Sequence, residues 1–255
     1  MTHRNWKTSL KRVLSRAHVL PAARALQYHL RKSVDRAFRD QEAGLDQAFR
    51  RFAADYGAAF RQAAPPESSD SPRVLVVSSG SLGQLVEIAL VTAFRLAGYR
   101  PVILTDYDRW MGAYYREIGV QEHLYWDDCF QQVPMAEAMH VMASIGSFEQ
   151  LIKAEYCGAR VGKYAASTVL RHLRVGRLDL SAQSVRDALL PFLHRAMCYA
   201  RTAEAIVGTL RPQLVLSVDT GYSPRGELFD LCLAAGIDTI TWNAAHRNNQ
   251  LMLKR

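Results

Sequence analysis

Residues 73–105, RVLVVSSGSLGQLVEIALVTAFRLAGYRPVILT, decide the fold. Residues 73–79 form a β-branched apolar run that ends in the small-residue turn Gly80-Ser81-Leu82-Gly83. Residues 84–97 then carry apolar side chains at helical spacing before Gly98. A second strand pattern, RPVILT, follows at once over residues 100–105. Strand, tight turn, helix and strand make a βαβ unit. Its strands read as continuous apolar runs because a parallel sheet is covered on both faces. Outward from this unit, residues 110–118 are helical in pattern and residues 123–126 form a third short strand.

Towards the C-terminus, QLVLSV at 213–218 and IDTITW at 237–242 bracket a helix over residues 225–235 that Gly236 ends. Between the halves, residues 134–210 read as a mainly helical insertion, with 185–210 its longest helix. The alternation predicts an α/β fold, a Rossmann-like doubly wound parallel sheet of about five strands. Such sheets bind ligands beyond the carboxyl ends of their strands, at the topological switch point. The residues at those ends are 78–83, Asp106 with Asp108, Asp127 with Asp128, 219–225 and 243–247, so polar groups gather where a site is expected.

The chain has 255 residues, 49% hydrophobic and 22% charged, which excludes wholesale disorder and collagen-like repeats. No apolar run approaches the roughly 18–20 residues that span a bilayer. The first twenty residues are basic but lack an apolar h-region and a cleavage site, so the expected compartment is the cytoplasm. Four cysteines, at 129, 157, 198 and 232, match neither a CxxC site nor a disulfide framework and read as core thiols.

The net charge of +8 is unevenly placed. Residues 1–61 hold thirteen Lys or Arg against five Asp or Glu, and the remainder holds nineteen of each. Trp6, Leu10, Val13, Leu14 and Ala17 follow helical spacing while Lys7, Lys11, Arg12 and Arg16 occupy other faces, an amphipathic basic helix interrupted at Pro21. A second stripe runs through Leu26, Leu30, Val34 and Phe38, then Leu45, Phe49, Phe52, Tyr56 and Phe60, with Gly44 as a break. Residues 1–64 therefore read as a helical arm, and the Pro- and Ser-rich run 65–72 as a linker to a domain over 73–255. Three readings of the arm are open: packing on its own domain or a second subunit, lying on an anionic membrane through residues 1–40, and binding nucleic acid. The last is the weakest, since the chain has no helix-turn-helix, RNP or zinc-finger signature.

The motifs are sparse. The Gly80 to Gly83 turn offers backbone N–H groups to a phosphate or hydroxyl, but it is neither GxGxxG nor GxxxxGK[ST], and Gly80 directly precedes Ser81, unlike the GxSxG elbow. Asp219-Thr220-Gly221 imitates the aspartic-protease triplet in a single copy, whereas that chemistry needs two carboxylates. The eight histidines show no metal-ligand spacing, so no metal is expected. His246 stands out because it follows a strand end beside Arg247. A histidine near neutral pKa can act as a base, and an arginine can hold a phosphate or carboxylate.

The stretch 73–105, the segment YCGARVGKYA at 156–165, RPQLVLSVDTGYSPRGELFDLCLAAGIDTITWN at 211–243, and His246-Arg247 together resemble the N-terminal half of a GT-B glycosyltransferase of the bacterial capsule and surface-polysaccharide type. The resemblance spans residues 73–253. It implies two facing Rossmann-like domains, of which the first binds acceptor and the second binds the nucleotide-sugar donor. The sequence holds one set of strands, so the resemblance implies an acceptor-side half whose donor-side domain is absent. Such a half binds no cofactor itself and is a catalyst only when joined to or paired with a donor-binding chain. The implied acceptor is a sugar or a lipid-linked glycan at the inner face of the membrane. Asp219 and His246 are then the candidates for the base. Ser79, Gly80, Ser81, Gly83, Asp106, Tyr222, Arg225 and Arg247 are the candidate acceptor contacts. The competing reading is a non-catalytic scaffold whose basic arm binds a membrane surface or a partner protein.

Overall fold

The computed structural model describes residues 26, 29–63, 68, 70–78, 83–105, 112–245 and 250–255. A six-stranded sheet has the order β3-β2-β1-β4-β5-β6. Its strands are β1 (Arg73–Val77), β2 (Arg100–Thr105), β3 (Glu122–Tyr125), β4 (Leu214–Ser217), β5 (Asp238–Ala244) and β6 (Leu251–Lys254). The first five are parallel, with Leu75 opposite both Val102 and Val215. The order reverses between β1 and β4, which makes their carboxyl ends the switch point. The sequence foresees these five strands to within a few residues. It does not foresee β6, which returns antiparallel along β5 and is exposed at all four residues.

Alternation along each strand sorts the core into two layers. Val74, Val76, Ile103, Leu214 and Leu216 face α1 (Arg36–Ala63), α2 (Gly83–Leu96) and α3 (Gly112–Glu117). Phe49, Ile88, Val91 and Tyr115 come from those helices to meet them. On the other face, Leu75, Val77, Val102, Leu104 and Val215 pack on α8 (Gln183–Leu210) and α9 (Arg225–Ala234) through Ala203, Ile206, Leu228 and Cys232.

The arm is a cover for the sheet over part of its length. Helix α1 runs straight through Gly44, where a break is expected, because a lone glycine costs a helix only about 1 kcal/mol and the packing beyond it outweighs that. Leu45 and Phe49 are buried, the Phe49 ring lies 4.6 Å from that of Tyr114, and the Tyr114 hydroxyl donates to Asp46 at 3.4 Å. The earlier part of the same stripe is bare: Leu26, Leu30 and Val34 are 61%, 56% and 82% exposed. The amphipathic pattern read over residues 6–17 lies outside the described residues. Among the described residues, no helix is long and apolar enough to cross a membrane.

The insertion is helical as expected. Following α4 (Trp126–Cys129), it comprises α5 (Met135–Ala143), α6 (Phe148–Lys153), α7 (Val161–Leu173) and α8. Its core of Leu151, Val161, Ala165, Val169, Leu189, Leu193 and Met197 is separate from the sheet layers. All four cysteines are free thiols; Cys198 and Cys232 are buried as expected, while Cys129 and Cys157 are half-buried.

Candidate functional site

The switch point is built from the ends of β1 and β4 and the helices that follow them. Ser78 closes β1, its N–H donating to the Leu104 carbonyl at 2.8 Å. Its hydroxyl donates to Glu87 Oε2 of α2 at 2.9 Å, and the Tyr115 hydroxyl of α3 donates to the same oxygen at 2.8 Å. Ser78, Glu87 and Tyr115 are all buried, a polar knot at the end of β1. Arg225 at the start of α9 donates from Nη2 to the Ser78 carbonyl at 3.2 Å, while its Nε is buried without a hydrogen-bond partner. Beside it lies a cavity of about 10 Å³ bounded by Val77, Ser217, Arg225 and Thr241, which is room for about one water.

The β4–α9 loop organises itself around Asp219. Its Oδ1 accepts the Gly221 N–H at 2.8 Å, an Asx turn, and its carbonyl accepts the Ser217 hydroxyl at 3.2 Å. Tyr222 follows, exposed, with the Arg171 guanidinium of α7 5.4 Å from its ring centroid. The Ser223-Pro224 peptide is cis and Pro224 caps α9. The Ser223 hydroxyl donates to Oε1 of Glu227, whose side chain is 0% exposed and whose Oε2 has no hydrogen-bond partner. Burial pushes the Glu227 carboxyl up to about 8; Asp230 adds to this, while the bonds from Ser223 and from its own N–H pull the other way.

The wall behind the loop is α7. The ring of Tyr164 lies against Gly226, where a Cβ would sit 2.1 Å from a ring carbon, so only glycine lets the two helices approach this closely. Arg160, just before α7, holds Asp230 of α9 with its own N–H at 3.0 Å and with its guanidinium at 2.6 and 3.1 Å. Burial raises the Asp230 carboxyl, but the Arg160 bonds together outweigh it and hold the group below the usual carboxylate range. Burial, and then the Asp230 charge, push the Tyr164 hydroxyl up.

Of the expected site residues, the structure brings Asp219, Tyr222 and Arg225 together on one loop and places Gly83 at the first position of α2. Ser79, Gly80, Ser81, Asp106, His246 and Arg247 lie outside the described residues. Segments 156–165 and 211–243 meet at the Arg160–Asp230 pair and the Tyr164–Gly226 contact. Sequence reasoning does not single out Glu87, Glu227, Arg160 and Asp230: they lie within the stretches that carry the resemblance, but their roles depend on partners up to seventy residues away. Among the described residues, no group of three or more His, Cys, Asp or Glu could hold a metal ion. No family model, curated protein or solved structure matches the chain.

Proposed function

We propose that the crevice between β1 and β4 receives a sugar or lipid-linked glycan acceptor. On this reading the chain is the acceptor-binding half of a GT-B-like glycosyltransferase of surface or capsular polysaccharide synthesis. It is a catalyst when joined to or paired with a donor-binding domain that supplies the nucleotide sugar. The observation that carries this is the Arg225 bond to the Ser78 carbonyl, which ties the start of α9 to the end of β1 at the switch point where open α/β sheets bind ligands. The acceptor hydroxyl gives its proton to a base on this half, its oxygen bonds to the sugar carbon, and the nucleoside diphosphate leaves. Asp219 and His246 are the candidate bases. Ser79, Ser81, Asp106, Tyr222 and the backbone of residues 80–83 would contact the acceptor, with Arg225 and Arg247 meeting its anionic groups.

The test is turnover by the complete transferase, with nucleotide sugar and a lipid-linked acceptor in vesicles. Asp219→Asn or His246→Ala, whichever removes the base, is expected to lower turnover by roughly 10²–10⁴-fold. If both variants stay within about tenfold of the native enzyme, neither residue is the base.

The exposed Leu26, Leu30 and Val34, beside Arg31, Lys32 and Arg36, favour a second role for the arm as a peripheral contact with the inner face of the membrane. Each near-surface Lys or Arg adds about 1 kcal/mol of attraction to an anionic leaflet. The full chain is expected to sediment with vesicles rich in anionic lipid and not with neutral ones. Equal pelleting with both, or none with either, would remove the electrostatic contact. The scaffold reading shares this arm but predicts no sugar transfer under any pairing.

A further inference from the structure

Helix α9 begins in an unusual way. A glutamate at the third helical position ordinarily reaches back to the N-cap N–H, completing a capping box. Here that glutamate is Glu227 and the N-cap is Pro224, which has no N–H to give. The carboxyl turns instead to the Ser223 hydroxyl one residue further back, and its Oε2 is left buried with no partner. Buried polar groups are nearly always satisfied, so this one calls for a role.

We propose that Glu227 is a positioning residue of the acceptor site: through the Ser223 hydroxyl, its buried carboxyl fixes the 218–224 loop, and with it Asp219 and Tyr222, in the conformation that receives the acceptor. The inference rests on the acceptor-site reading. The loop has three further anchors, the Asp219 Asx turn, the Ser217 hydroxyl to Asp219 carbonyl bond at 3.2 Å and the Gly226 N–H to Tyr222 carbonyl bond at 2.9 Å, and the Ser223 bond ties it to the helix through a titratable group.

That group is held neutral by its surroundings. Asp230 on α9 acts on it as a like charge, and Arg160, just before α7, is already committed to Asp230 by three bonds. Tyr164 on α7 carries Lys163 over its own ring at 5.4 Å, and α8 meets α9 through the apolar Ala203 and Ile206. Arg225 on α9 donates to the Ser78 carbonyl and Arg171 on α7 lies over the Tyr222 ring, and the one charge that shifts the Glu227 carboxyl is that of Asp230. A proton therefore stays on the carboxyl until the pH reaches about 8. Beyond that, an anion beside Asp230 drives the side chain towards water and pulls Ser223 with it.

The experiment is amide exchange of the full chain over residues 218–226, corrected for the intrinsic pH dependence of exchange, between pH 6 and 9.5. Protection of the native loop is expected to fall about tenfold between pH 7 and 9, since the protonated fraction falls by that factor one unit above the pKa. In Glu227→Gln the protection stays level, and in Ser223→Ala it is low at every pH, while residues 100–105 in β2 stay protected throughout. If the native protein and Glu227→Gln run in parallel, or if Ser223→Ala leaves the loop as protected as before, Glu227 does not position it. In the complete transferase, the acceptor KM is expected to rise about tenfold over the same range in the native enzyme and to stay flat in Glu227→Gln. The two failures are distinguishable. A loop that follows Glu227 in an enzyme indifferent to Asp219→Asn and His246→Ala removes the base assignment and leaves the coupling. A loop indifferent to Glu227 removes the coupling whatever the turnover.

Discussion

Glu227→Gln is expected to melt well above the native protein at pH 9, by upwards of 10 °C, and to lose that advantage near pH 4.5. The folded-state pKa is raised, to about 8 against an ordinary 4.5, so the folded chain keeps a proton that the unfolded chain has released. Below pH 4.5 both states are protonated and the group has no effect on the balance. As pH rises from 4.5 to 8, native stability falls by about 1.4 kcal/mol per unit, and above 8 the loss levels off. The total is about 5 kcal/mol, of which about 3 is already lost at pH 7. Glutamine keeps the shape and a bond to Ser223 without the titration, so the difference between the two melting curves isolates this one group. At roughly 2–4 °C per kcal/mol for a chain of this size, the gap is easily measured by calorimetry. Two curves that stay parallel from pH 4.5 to 9 would mean that Glu227 does not titrate in this way.

Gly162→Ala is expected to cost about 3 kcal/mol or more, read as a fall in the urea midpoint. Gly162 is the second residue of α7, and its N–H donates to the Ala154 carbonyl at 3.1 Å where α6 ends. A Cβ there would lie 1.8 Å from the Leu151 carbonyl oxygen and 2.9 Å from its carbon. Both are backbone atoms at the end of α6, so no rotamer change relieves the clash and one helix must move. Because Arg160 and Tyr164 flank Gly162, that movement reaches the Asp230 pair and the Gly226 contact as well. Gly44→Ala is the control: nothing lies within 4 Å of its Cβ position, and the gain in helix propensity makes it neutral or slightly stabilising. A Gly162→Ala protein within 1 kcal/mol of native would show that α6 and α7 are looser than this packing implies.

The parts of the fold visible in the sequence are those fixed by local pattern. The apolar runs of β1, β2, β4 and β5 and the Gly236 that ends α9 can be read without knowing what they touch. Strand β6 has only four residues, and its pairing depends on the return of the chain to β5, which LMLK alone does not announce. Gly44 reads as a break because a glycine lowers helix propensity, yet Leu45 and Phe49 just beyond it are buried, Phe49 in the core that α2 and α3 share with the sheet. The site divides in the same way. Asp219, Tyr222 and Arg225 are legible because they follow a strand end. Glu227 is not, because burying a carboxyl there requires α7 to lie against Gly226, a contact between Tyr164 and a residue sixty-two positions later. The Ser-Pro preceding it is the only local hint, since a proline at the cap denies the glutamate its usual bond.

Helix α8 is a shared beam. Its earlier turns supply Leu189, Leu193 and Met197 to the insertion, and its last turns supply Ala203 and Ile206 to the underside of the sheet. An unbroken helix of 28 residues cannot fray in one half without loosening its grip in the other. The insertion and the sheet therefore behave as a single cooperative unit, in which damage to α5, α6 or α7 lowers the melting point of the sheet as well.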